Sequence, residues 1–313
     1  MAKKRHRPKF VSHAPGRKIK GQNLRKNPSF IGLVLVVAIF AFFYFGRDNL
    51  LNNNINVSGE FAVHFIDVGQ GDCILIEHGG EFMLIDTGED SKYNNLSEYL
   101  EQLGVQEFKY IILTHPHADH IGGAHNIVRE YEIDKLIMPS MYHDTVTFKN
   151  LLNTMDEAGL APTRAVAGDN YEFGEAEFLI LGPMSEEYAS ENNYSVVILM
   201  QFGNTRFMFT GDMESLSESE IARHVQDNRL DISADLLKIA HHGSSSSSQD
   251  YFLDLIRPGI AVIQVGDGNS YGHPHRETLH RLESIHARIL RNDLHGDIII
   301  ISDGRELSVY TSK

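Results

Sequence analysis

Residues 114–123 read Thr114-His115-Pro116-His117-Ala118-Asp119-His120-Ile121-Gly122-Gly123. Three histidines and one aspartate fall within six residues, directly after the apolar run 110–113, which reads as a short strand. In an extended turn alternate side chains share a side, so His115 and His117 point the same way. Asp119 and His120 open the helix that follows and turn towards the same cavity. Imidazole and carboxylate are the donors that hold zinc, and also manganese or iron. Gly122 and Gly123 let the backbone pack closely behind the cluster.

The flanking sequence alternates strand and helix signals. Upstream, 61–66 reads as a strand, and 73–77 and 81–85 form a pair around the Gly79-Gly80 turn. Leu96, Tyr99, Leu100 and Leu103 recur at helical spacing, with Gly104 as a C-terminal cap. Downstream, 121–130 reads as a helix, 135–138 as a strand, and Phe148, Leu151, Leu152 and Met155 as a helix stopped near Gly159. Further strands are expected at 177–181, 195–202, 206–210, 235–240, 261–265, 298–301 and 307–310. Helices are expected at 214–225, 250–256 and 276–286. Phe202-Gly203-Asn204-Thr205 is a hairpin signal, which argues for antiparallel pairs within mixed sheets. The composition does not break after residue 60, so 60–313 reads as one α/β domain. The single cysteine, Cys73, precedes the run Ile74-Leu75-Ile76 and reads as a buried apolar residue.

Two more segments end where metal ligands are useful. Phe207-Met208-Phe209-Thr210-Gly211-Asp212 reads as a strand with Asp212 at its tip. Leu236-Leu237-Lys238-Ile239-Ala240-His241-His242-Gly243-Ser244 reads as another strand, ending in two histidines. Neighbouring strand residues point opposite ways, so one of His241 and His242 is expected to bind metal.

Taken with Phe65-Ile66-Asp67-Val68-Gly69-Gln70-Gly71-Asp72, Leu84-Ile85-Asp86-Thr87-Gly88 and Tyr271-Gly272-His273-Pro274, these segments resemble the metallo-β-lactamase superfamily over residues 61–311. More closely, they resemble the hydrolase domain of ComEC/Rec2 competence proteins. The resemblance implies an αββα sandwich with ligands on loops at one edge of the two sheets. It implies two divalent metal ions, zinc or manganese. His115 and His117 would hold the first and Asp119 and His120 the second, with Asp212 bridging and His241 or His242 completing the second site. Asp86 would brace the histidine loop. The sequence departs from many members at one point: where another histidine usually precedes the strand leading to Asp212, this chain has Glu191-Asn192-Asn193-Tyr194-Ser195. His143 is the only histidine between His125 and His224. The first ion is therefore expected to be weakly held or completed by water or substrate, and function with a single ion stays open.

Two neighbouring ions activate water and stabilise the attacking and leaving oxygens of an in-line displacement, which suits a phosphodiester substrate. Asp119 and His273 are the candidate catalytic residues, His273 as donor of a proton to the leaving oxygen. Ser244 and Tyr271 are candidate phosphate contacts. The leading expectation is an extracytoplasmic phosphodiesterase or nuclease. The alternatives are hydrolysis of another cell-surface ester or of a β-lactam, and a non-enzymatic surface-binding module. Competence proteins of the ComEC type carry many membrane helices that form a DNA channel. This chain shows one apolar run, so DNA import is not implied.

That run, residues 29–45 (SFIGLVLVVAIFAFFYF), carries no charge and is long enough for a transmembrane anchor. No small-residue cleavage site follows it, which argues against a removable signal peptide. Residues 1–28 hold ten lysines and arginines and no acid, while the whole chain sums to −14, so everything after the tail carries −24. The positive-inside rule makes 1–28 a cytoplasmic tail, and 46–59 an Asn-rich linker to a hydrolase domain outside the membrane. In intact cells, added protease should remove the domain beyond residue 46 and spare a tag at residue 1. Cleavage of the tag with protection of the domain would reverse the orientation.

Overall fold

The structure is a computed structural model that describes residues 60–313; the expected tail, anchor and linker lie outside the described residues. Among those described, no helix is long and apolar enough to cross a membrane. The first half supplies strands β1 (Phe61–Phe65), β2 (Ile74–His78), β3 (Glu81–Ile85), β4 (Glu107–Ile112), β5 (Glu132–Met138) and β6 (Thr163–Arg164). The second supplies β7 (Asn170–Phe173), β8 (Ala176–Gly182), β9 (Val197–Phe202), β10 (Thr205–Phe209), β11 (Leu236–Lys238), β12 (Ile260–Ile263) and β13 (Arg288–Arg291). The last two strands, β14 (Ile298–Ser302) and β15 (Leu307–Thr311), return to the first sheet, whose order is β15-β14-β1-β2-β3-β4-β5-β6. The second sheet runs β13-β12-β11-β10-β9-β8-β7.

Alternation along the strands sorts the side chains into layers. Phe61, Val63 and Phe65 of β1 face the second sheet and pack on Phe207 and Phe209 of β10. On the other face of the first sheet, Leu75, Leu84, Ile111 and Leu136 meet three helices: α1 (Tyr93–Gln102), α3 (Ala124–Glu130) and α4 (Val146–Ala158). Between α1 and α3 lies the single turn α2 (Ala118–Ile121). The outer face of the second sheet buries Met208, Leu237 and Ile263 under α5 (Ser215–Asn228), α6 (Asp250–Ile256) and α7 (Arg276–Ser284). A further turn, α8 (Asn292–His295), precedes β14. The result is the expected helix–sheet–sheet–helix sandwich, and Cys73 is fully buried.

The hairpin read at 202–205 is present, with Phe202 paired to Thr205 across β9 and β10. Three expectations are corrected. The helix read over 121–130 is two pieces, α2 and α3, broken at Gly122-Gly123. A Cβ on Gly122 would sit 2.4 Å from the Asp90 amide nitrogen, so the chain bends where that approach is needed. The strand read over 235–240 stops at Lys238, because Ala240–Gly243 forms a 3-10 turn. Strands β6, β7 and β13 were not expected; all three are edge strands of four residues or fewer, too short for a pattern of their own.

Phe61 is fully buried between the sheets, with its ring 5.2 Å from Phe202 and 5.1 Å from Phe207. Phe61→Ala should lower unfolding stability by about 3–5 kcal/mol in chemical denaturation. A loss below about 1 kcal/mol would show that the inter-sheet core closes over the gap.

Candidate metal centre

The loops that follow β3, β4, β10 and β11 meet at one edge of the sandwich. Asp86, at the end of β3, lies in the left-handed region (φ 57°) and is fully buried. Its Oδ1 accepts the Thr114 backbone N–H (2.8 Å), and its Oδ2 accepts the Thr114 hydroxyl (2.6 Å) and His120 Nδ1–H (2.8 Å). With Nδ1 committed, His120 turns Nε2 towards Asp212 Oδ2 at 3.3 Å. The same logic fixes His115. The Thr114 hydroxyl already donates to Asp86, so it accepts from His115 Nδ1 at 3.1 Å and leaves His115 Nε2 facing His117 Nδ1 at 3.0 Å.

The second sheet contributes the opposing wall. Ser195 Oγ accepts the Asp212 backbone N–H at 3.0 Å. His241 and His242 both adopt left-handed backbone conformations (φ 50° and 52°), at a cost of order 1 kcal/mol or more each. The alternation argument for the pair fails because they are not in a strand; the turn directs both towards the cavity. His242 is buried and donates Nδ1–H to the Gln264 carbonyl (2.9 Å), so its Nε2 lies 3.3 Å from both Asp119 Oδ2 and Asp212 Oδ2. His241 is more open, with Nε2 3.9 Å from Asp212 Oδ2.

These contacts decide whether the residues fit a metal. His120 Nε2, His242 Nε2 and Asp212 Oδ1 are buried without a hydrogen-bond partner, although nitrogens and carboxylate oxygens crowd to 3.3 Å. A neutral imidazole whose Nδ1 carries the proton presents a lone pair at Nε2. Lone pairs and carboxylates facing one another need a cation between them. Among the described residues four groups of three candidate ligands meet here: His115, His120 and Asp212; Asp119, His120 and His242; and, deeper, Asp72 and His120 with Asp86, and Asp72 and His242 with Asp212. The donor set of imidazole and carboxylate fits zinc and manganese.

The electrostatics carry the same message. Burial alone would push the His120 imidazole down, but Asp212, Asp119 and Asp86 outweigh it and raise it well above the ordinary value. His242 behaves alike, burial opposed by Asp212 and Asp119. Burial opposes ionisation of Asp212, yet His242 and His120 hold it well below the usual carboxylate range. His115, by contrast, is driven down by burial and by His120.

Beneath the cluster sit residues whose roles the sequence reading did not assign. Asp72 is buried, with Oδ1 3.4 Å from His242 Nδ1, and it pairs with the fully buried Lys238 ammonium. Burial resists ionisation of Asp72, but Lys238 and His242 lower it. Gln264 joins the two sheets: its side chain donates to the Ile66 and Cys73 carbonyls (3.2 and 2.9 Å) and accepts the Cys73 N–H (3.3 Å), while its carbonyl holds His242. The available signal for both was a polar side chain inside an apolar run, Leu236-Leu237-Lys238-Ile239 and Val262-Ile263-Gln264-Val265. Gly71 admits Asp119 to this corner, since a Cβ there would meet the Asp119 carbonyl at 2.3 Å.

A cavity of about 370 Å³ opens over the centre, lined by Gln70, His117, Asp119, Asp212, His242 and His273 among others. Tyr271 stands at its rim, 66% exposed and stacked on His273 at 5.7 Å. Ser244 does not line it. Its hydroxyl bonds to the Ser246 hydroxyl within the loop (3.0 Å). His273 lines the cavity with Nδ1 buried and unpartnered. Burial and the neighbouring His241 and His242 push its pKa down to about 4.

Asp86→Asn suits the left-handed backbone but places an amide where donors now converge. It should weaken metal affinity about 10–100-fold in calorimetric titration while the fold is kept. Unchanged affinity would remove Asp86 from the support of the centre.

Comparison with known proteins gives the same picture. A family model described as "Metallo-beta-lactamase superfamily" matches residues 66–267. The chain is 32% identical over 260 residues to ComE operon protein 3 of Bacillus subtilis (strain 168), covering 77% of this chain and 33% of that protein. It is 30% identical over 243 residues to Recombination protein 2 of Haemophilus influenzae, covering 76% and 28%. The chain thus spans about a third of the length of these curated relatives. Among solved structures, CmlA, a diiron β-hydroxylase from Streptomyces venezuelae, aligns with a TM-score of 0.53 at 13% identity, covering 77% of this chain and 54% of that one. The metallo-β-lactamase fold protein YhfI from Bacillus subtilis aligns at 0.51 and 11% identity, covering 77% and 100%. Both likenesses are of fold.

Proposed function

This chain belongs to the metallo-β-lactamase superfamily, and we propose on that premise that it is a metal-dependent phosphodiesterase of the competence-protein branch, anchored by residues 29–45 with its hydrolase domain outside the cell. The observation that carries the reading is the set of buried, unpartnered ligand atoms that converge from the two sheets, His120 Nε2, His242 Nε2 and Asp212 Oδ1. Bound there, two divalent ions, zinc or manganese, would polarise a phosphoryl oxygen and lower the pKa of water. His115 and His117 would hold one ion and Asp119, His120 and His242 the other, with Asp212 shared.

The chain's own residues supply the rest. Asp119 is the more exposed of the two cluster carboxylates that line the cavity, at 27% of its side chain against 3% for Asp212, and would accept a hydrogen bond from an attacking water. His273 and the Tyr271 ring above it shape the side where a leaving group would rest. Gln70 and Thr145 offer neutral hydrogen bonds along the lining.

Substrate class is set by charge. The chain beyond its basic tail sums to −24, and the residues lining the cavity include no lysine or arginine. Duplex binding draws on cationic contacts to many phosphates, and the cavity lining offers none. The reading is therefore hydrolysis of single strands, or of a non-nucleic phosphodiester of the cell surface, with weak affinity for long duplex DNA.

Chelation should abolish hydrolysis, and Asp119→Asn should lower kcat about 10²–10⁴-fold on a chromogenic phosphodiester. Full activity in metal-free protein would sink the mechanism. Comparing kcat/KM for single-stranded DNA, duplex DNA, a small phosphodiester and a cephalosporin over a range of salt tests the substrate. Tight duplex binding that falls steeply with salt would overturn the charge argument, and turnover of the cephalosporin alone would favour the β-lactam alternative.

A further inference from the structure

The ligand cluster is lopsided. Asp119, His120 and His242 form one group of candidate ligands and His115, His120 and Asp212 another, whereas His117 joins no group of three and meets the cluster through His115, its Nδ1 3.0 Å from His115 Nε2, with no histidine in segment 191–195 to complete that side. The structure brings a different histidine to that side. His143 lies in the connection between β5 and α4 and lines the same cavity as His117, with ring centroids 5.9 Å apart and planes inclined at 59°. Its Nδ1 is 3.3 Å from the hydroxyl of Thr145, the residue that caps α4, which leaves Nε2 free. That nitrogen sits 4.0 Å from Glu191 Oε1. Glu191 opens the 3-10 turn Glu191–Tyr194, in the segment where the missing histidine would stand, and its field also reaches His117.

The dimensions suit a shared ion. With metal–nitrogen bonds of about 2.0–2.1 Å, two imidazoles on one tetrahedral ion have centroids about 5 Å apart. A closing movement under about 1 Å would bring His143 into that range, and the segment 139–145 carrying it contains no helix or strand to resist.

We propose that His143 is the third protein ligand of the ion held by His115 and His117, with the Glu191 carboxylate beside it as compensating charge. This rests on the metal-dependent reading above. A histidine from the β5–α4 connection thus serves where segment 191–195 offers none, so the first site is completed by protein, not left to water or substrate alone.

The test uses the full chain in detergent, stripped and reloaded with zinc or cobalt(II), with bound metal counted and the cobalt spectrum recorded. Wild type should take up two ions. His143→Ala should keep the tighter ion and bind the other at least about tenfold more weakly. His143→Cys should show a thiolate-to-cobalt charge-transfer band, a signature that only direct ligation produces. Two ions of unchanged affinity in His143→Ala, with no such band in His143→Cys, would overturn the assignment and leave the metal reading intact. Wild type that takes up a single ion would also overturn it, and wild type that takes up none would end both.

Discussion

The carboxylate of Asp86 is the fixed point from which the centre is built. It has no access to water and receives three donors, two from Thr114 and one from His120. Burial raises its pKa while His120 and Thr114 draw it back down, so its charge is sustained by the groups it organises. Those bonds tie the end of β3 to the end of β4, set which nitrogen of His120 carries a proton, and through Thr114 orient His115. A neutral isostere would leave buried donors facing a donor, the costly kind of mismatch.

The opposite wall relies on a different device. Gln264 satisfies backbone groups of the first sheet with its side chain and holds His242 from the second with its carbonyl. Close by, Asp72 and Lys238 form a pair fully out of water. Buried pairs add little net stability. Their value here is a fixed negative group behind His242 and a fixed positive one behind Asp72, balancing a cluster dense in carboxylates.

Much of this was legible in the sequence because the signals were local. Period-two alternation separates Val63 and Phe65 from His64, and the structure places them on opposite faces of β1. The histidine cluster and Asp212 stood at strand ends, and the structure gathers them. Where reading failed, the cause was conformation or distance. His241 and His242 were read by strand alternation, but a left-handed turn aims both at the cavity, and nothing in Ala-His-His-Gly announces that backbone. Gln264 and Lys238 were passed over because an apolar run reads as core regardless of one polar member. His143 lies 26 positions beyond His117, and only the packing of α4 against the first sheet brings the two rings together.

The ligand loops come from both sheets: His115 to His120 follow β4, while Asp212 and His242 follow β10 and β11. An ion seated among them would be a cross-link between the two halves of the sandwich, present in the folded state and absent from the unfolded one. At free metal a hundredfold above its dissociation constant, such a ligand adds about 2.7 kcal/mol to stability. Resistance to proteases would then follow the supply of free metal around the domain, whichever side of a membrane it occupies. The side chains that gather at the ligand cluster would then also set how long the protein survives in a metal-poor environment.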